Sequence, residues 1–140
     1  MWELLKILVL GKAVALTPVP ISVGQDWTNI RFPEKISAIN NGAHIKIQIA
    51  HSELGNLDIV KRLQQASRTY PDGCVTGRLV TNNGDETVVR NRGTSASNSD
   101  TYLILSAGHD MPLYEPFTQL RIQTTCQLNS VKIEWQNFSE

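Results

Sequence analysis

The residues best suited to chemistry are three histidines, His44, His51 and His109, since a neutral imidazole can take a proton or hold a metal near neutral pH. His51 stands two residues before Glu53 in His51-Ser52-Glu53. In an extended chain positions i and i+2 share a face, so one cation could touch both side chains. Two ligands fall short of a site, and no third residue has suitable spacing. His109 precedes Asp110 in Gly108-His109-Asp110. Adjacent strand residues point to opposite faces, so a histidine–carboxylate pair would require a bend there. His44 lies out of phase with Ala43, Ile45, Ile47 and Ile49 and shares its face with Lys46 and Gln48. It reads as part of a solvated strand face, since a working histidine needs an orienting partner. The expectation is no catalytic residue, no metal and no cofactor.

Other marks of chemistry are missing from the sequence. There is no Gly-x-x-x-x-Gly-Lys-Ser/Thr, no Gly-x-Gly-x-x-Gly, no Gly-x-Ser-x-Gly and no His-Glu-x-x-His. Cys74 and Cys126 belong to no Cys-x-x-Cys pair and read as small buried apolar residues in strands, to be joined by a disulfide if the chain is exported. Asn137-Phe138-Ser139 matches a glycosylation sequon, a pattern short enough to arise by chance. The 13 basic and 13 acidic residues cancel, which removes any global attraction to nucleic acid or to an acidic membrane. The densest basic segment, Lys61 and Arg62 with Arg68, reads as a solvated helix face, and aromatics at 6% are too few for a row of base-stacking platforms.

The elements that must position these residues follow from periodicity. At 140 residues the chain has the size of one domain. Residues 1–20 form an apolar N-terminal segment, either a signal ending near Ala13-Val14-Ala15 or a packed opening element, and residues 21–140 form a single domain. Lys6 and Lys12 interrupt the apolar stretch, so no transmembrane span is expected, and the charges in this segment favour a cytoplasmic chain over an exported one. Pro18 and Pro20 punctuate the start. Trp27–Phe32 alternates until Pro33 ends it, and Asn41-Gly42 turns the chain into a half-buried strand over 43–50. Asn56–Ser67 is the one amphipathic helix, capped by Asn56, with Leu57, Ile59, Val60, Leu63 and Ala66 on its apolar side. Cys74–Thr81 and Glu86–Asn91 flank the hairpin turn Asn82-Asn83-Gly84-Asp85, and 92–100 is a polar loop. Thr101–Ser106 is an apolar run suited to a central strand, while Phe117–Thr125 and Leu128–Phe138 close the chain. Ile45, Ile47, Ile49, Ile104, Leu120, Ile122, Val131, Ile133 and Trp135 are the expected core.

Short strands, frequent turn signals and a single short amphipathic helix define a mainly β chain. The expected fold is an antiparallel β-sandwich, jelly-roll-like, without βαβ units. This strand pattern resembles that of sandwich binding modules such as carbohydrate-binding and discoidin-like jelly rolls. No motif accompanies the resemblance, so it assigns no residue.

The connection Ala107–Pro116 holds Met111, Leu113 and Tyr114, apolar residues placed in a loop, with His109, Asp110 and Glu115 around them. An apolar centre with a polar rim is the anatomy of a recognition patch, and Pro112 and Pro116 would stiffen it. The alternative is that Met111, Leu113 and Tyr114 plug an open end of the sandwich. The leading expectation is therefore a non-catalytic protein that binds another protein in an accessory, immunity or assembly role. A carbohydrate-binding module is the alternative, with Trp27, Tyr70 and Tyr114 as its aromatic platform. A small hydrolase or lyase using His109 is the third reading.

Overall fold

The computed structural model describes residues 14–40, 42–50, 58–97, 100–126 and 128–137 and, at position 109, the backbone alone. Within these residues the chain is mainly β, with one α-helix and an antiparallel sheet curled into a half-barrel. The predicted signal or opening element falls largely outside them. From Val14 the chain is in the sheet: β1 (Val14–Ala15) pairs with Trp135 and Glu134, and β2 (Ile21–Val23) follows after Pro18 and Pro20.

β3 spans Thr28–Ile36 and runs through Pro33, where the sequence suggested a stop. The reason is position: β3 is the last strand of the sheet, and an edge strand tolerates a residue without an N–H. β4 (His44–Ile49) shows the alternation its sequence implies, with Ile45, Ile47 and Ile49 buried and His44, Lys46 and Gln48 half-exposed. β5 (Val75–Thr81) and β6 (Glu86–Ala96) form the predicted hairpin, with Gly84 at φ +87° in the turn, a conformation that suits glycine. β6 runs past Asn91 through the segment expected to be a polar loop. After a bulge, Thr94, Ser95 and Ala96 pair with Leu103, Tyr102 and Thr101. β7 (Thr101–Ser106), β8 (Phe117–Thr124) and β9 (Leu128–Gln136) complete the set.

The sheet order is β1-β9-β4-β7-β6-β5-β8-β3, with β2 also pairing with β9. The pairings are nested: β2 with β9, β3 with β8, β4 with β7 and β5 with β6. The core fills the concave side. All the predicted core residues are buried except Ile104, which faces outward; Leu103 and Leu105 take the inner positions of β7. Phe117 and Trp135 meet across the concavity, ring centroids 6.1 Å apart, although their strands are not neighbours. Gly77 is needed on this inner face. A Cβ there would lie 2.9 Å from Val89 Cγ2 and 3.0 Å from Leu120 Cδ1.

The helix α1 covers Ile59–Thr69 and is capped by Asp58, whose carboxylate accepts the Lys61 N–H at 2.9 Å. The predicted start at Asn56 and the contribution of Leu57 lie outside the described residues. Ala66 is buried, but Val60, expected on the apolar side, is 64% exposed. Arg62 corrects the reading of a solvated basic face: it is buried, and its guanidinium donates to Thr101 Oγ1 at 3.1 Å and to the Ser97 carbonyl at 2.6 Å. Lys61 and Arg68 do face solvent.

Asn91 holds the turn after α1 to the sheet. Its Oδ1 accepts the Val75 N–H at 2.9 Å, and its Nδ2 donates to the Pro71 carbonyl at 3.1 Å. Beside this turn Cys74 and Cys126 are joined by a disulfide, Cα atoms 5.7 Å apart; the sequence read each as a small buried apolar residue by default and left this pairing open for an exported chain. The Val75–Thr124 register of β5 and β8 brings them together.

Candidate functional site

Two surfaces qualify as candidate sites. The first is the predicted loop Ala107–Pro116. Gly108–Asp110 forms one 3-10 turn, with Gly108 at φ +59°. Met111 is buried, so it anchors the loop and cannot meet a partner. Leu113 bridges to Ala38 and is 41% exposed, and the Tyr114 N–H donates to the Ala38 carbonyl at 2.7 Å. Tyr114 is 71% exposed and has φ 62°. A bulky residue in this left-handed region is an outlier that its surroundings must enforce. Here the buried Met111 on one side, the bond to Ala38 and Pro116 on the other do so. Asp110 and Glu115 are exposed around it. Of the three apolar residues that the sequence placed in a plug or a patch, Met111 turns inward while Leu113 and Tyr114 are exposed.

The second surface is the outer face of β3, β8, β5 and β6, which sequence reasoning missed. In register across the strands stand Asn29, Arg121, Arg78 and Val88. Two arginines thus lie directly opposite one another, an arrangement that is unfavourable unless compensated. Two neighbours compensate it. The Arg78 and Arg121 guanidiniums lie over the Trp27 ring at 5.0 and 5.4 Å, and Glu86 Oε2 sits 3.5 Å from Arg78 Nη1 and 3.9 Å from Arg121 Nη1. Arg31 and Arg90 are exposed on the same side of the sheet. At its margin lies an open cleft of about 500 Å³, lined by Arg31, Asn82, Thr118 and Gln119 among others.

Some predicted site residues are not brought to either surface. Tyr70 is buried, and its carbonyl accepts from Asn91 Nδ2 at 3.4 Å. Trp27 is half-buried beneath two guanidiniums. The aromatic platform that pairs Trp27, Tyr70 and Tyr114 does not assemble. His51 and Glu53 lie outside the described residues, as does the side chain of His109. His44 stands on the wet face, its Nδ1–H donating to the Gly42 carbonyl at 2.7 Å. Asn137, the sequon asparagine, is buried, with Oδ1 accepting from Ile39 N–H at 3.1 Å and Nδ2 donating to the Ser37 carbonyl at 3.2 Å. Its amide is committed to the fold and is no acceptor for a glycan unless the strand end opens.

Among the described residues no group of three or more His, Cys, Asp or Glu side chains could hold a metal, and no helix is long and apolar enough to cross a membrane. Comparison of the chain with protein-family models, with curated proteins and with solved structures returns no match.

Proposed function

We propose that this chain is a non-catalytic β-sandwich of jelly-roll topology that binds another protein through the Ala107–Pro116 loop. Support for the topology comes from the nested pairing. Cut at the β6–β7 ladder, which bulges between Asn91 and Thr94, the order reads as β9-β4-β7 with β1 and β2 and as β6-β5-β8-β3, as when one long hairpin rolls up. Fold does not choose function. The observation that carries the function is Tyr114, an aromatic side chain held in solvent by a backbone conformation that tyrosine disfavours. Nothing in core packing calls for that residue there. A rigid loop presenting Leu113 and Tyr114 inside a rim of Asp110 and Glu115 has the composition of a small recognition patch, and its rigidity lowers the entropy lost on docking.

The test is the double variant Leu113→Ser with Tyr114→Gly, used beside the wild type in affinity capture from the native host and in thermal unfolding. Glycine relieves the left-handed strain, roughly 1–2 kcal/mol, against a flexibility cost of about 0.5–1 kcal/mol. The melting temperature should hold or rise slightly while capture of the partner fails. A melting temperature several degrees lower would make the exposed pair a structural element and remove the reading. Unchanged capture would remove it as well.

A further inference from the structure

We propose that the outer face of β3, β8, β5 and β6 binds an acidic polysaccharide, a surface independent of the Ala107–Pro116 loop. The chain as a whole is neutral, yet this face brings together Arg31, Arg78, Arg90 and Arg121, with the carboxylate of Glu86 between Arg78 and Arg121. The compensation of the opposed pair by Trp27 and Glu86 leaves the side chains of Arg78 and Arg121 more than a third exposed. Here Trp27 seats both Arg78 and Arg121, fixing two flexible side chains before any ligand arrives. The guanidinium fork matches the paired oxygens of a carboxylate or sulfate. Glu86 already occupies that role, but loosely, at 3.5 and 3.9 Å, with both arginines and Glu86 itself more than a third exposed. It acts as an internal stand-in that a stronger or multivalent anion displaces. Gln119 and Gln123 alternate with Arg121 on the same strand face and offer amides to sugar hydroxyls.

The face is the open outer side of the curled sheet, along which a polymer can lie, and the cleft beside Arg31 receives one end. A nucleic acid is the competing polyanion. Base binding draws on free aromatic platforms, whereas Trp27 is already committed to the two guanidiniums. The Cys74–Cys126 disulfide also suits an oxidising compartment, where acidic polysaccharides are abundant.

The experiment measures binding of the full chain to fluorescently labelled heparin fragments, to polygalacturonate fragments and to an oligothymidylate of equal charge, each over a salt series. Binding to either polysaccharide is expected, weakening with salt and at least about tenfold weaker in Arg78→Gln/Arg121→Gln. Glu86→Gln should bind more tightly, because it removes the internal competitor. Arg68→Gln and Asp72→Asn change the same charges elsewhere and should leave affinity within about twofold. The ratio between the two polysaccharides assigns sulfate or carboxylate. Thermal unfolding checks each variant, and Arg31→Gln/Arg90→Gln replaces the first double variant should that one fail to fold. The proposal is overturned if neither polysaccharide binds, if the oligothymidylate binds as tightly, if Arg68→Gln weakens binding as much as the double variant, or if Glu86→Gln leaves binding unchanged.

Discussion

Tyr102 sits on β7 with its ring 4.9 Å from Lys46 Nζ and its hydroxyl 3.5 Å from Asp100 Oδ2. Burial raises its pKa above the ordinary tyrosine value, and the carboxylates of Asp100 and Glu134 push in the same direction. A raised phenol pKa means the folded chain holds this proton more tightly than the unfolded chain. The stabilisation is therefore fully present below about pH 10 and is lost as pH rises through the folded value. Spectrophotometric titration of tyrosinate, with Tyr102→Phe as the reference, should show that the missing component ionises later than a free tyrosine. A component ionising at or below pH 10 would contradict the assignment. Asn91 and Asn137 act at the same scale. Asparagine is ordinarily a surface residue, and these two are buried because each closes several backbone hydrogen bonds at a strand or helix end. No local pattern marks them, since their partners come from elsewhere in the chain.

At the level of the element, packing between β5 and its neighbours β6 and β8 depends on Gly77. A methyl group there meets Val89 and Leu120 within 3.0 Å, so Gly77→Ala must displace one of them. The overpacking outweighs the entropic gain of replacing glycine, and the net loss should be about 1 kcal/mol in denaturant unfolding. A midpoint that rises would mean that the inner face has room to spare. Legibility in the sequence also varied by element. β4, and β9 from Val131 onward, were readable because only one phase of each is apolar. In β7 both phases carry apolar residues, Leu103 and Leu105 against Tyr102 and Ile104, so the phase was undetermined until Lys46 paired with Ile104. The far end of β6 was illegible because Thr94, Ser95 and Ala96 have no strand signature of their own and are held by β7. The displayed loop was legible as apolar residues between prolines, though not that Met111 turns inward. The arginine face was illegible for a different reason. Arg31, Arg78, Arg90 and Arg121 are scattered through the chain, and only the register of four strands assembles them.

For the whole molecule, the disulfide joins residues 52 apart and closes β5 onto β8. Removing it frees a long loop in the unfolded chain, which by loop entropy should cost about 2–4 kcal/mol. Cys74→Ser/Cys126→Ser, or reductant, should lower the guanidinium midpoint accordingly, and an unchanged midpoint would show that the strand ladder alone holds this corner. The nested strand order has a further consequence, for the birth of the protein. β9 is made after every strand it pairs with, yet it lies between β1 and β4 and also pairs with β2. A nascent chain that has emerged only as far as β8 leaves one edge of β4 without its partner, with Ile45, Ile47 and Ile49 uncovered by Val131, Ile133 and Trp135. Such an edge is a template for pairing with other chains. Contacts this distant in sequence also slow the search for the native state to the millisecond-to-second range. The growing chain is thus most exposed to misassembly just before Leu128 leaves the ribosome, and a holding chaperone would matter more at that moment than at any other.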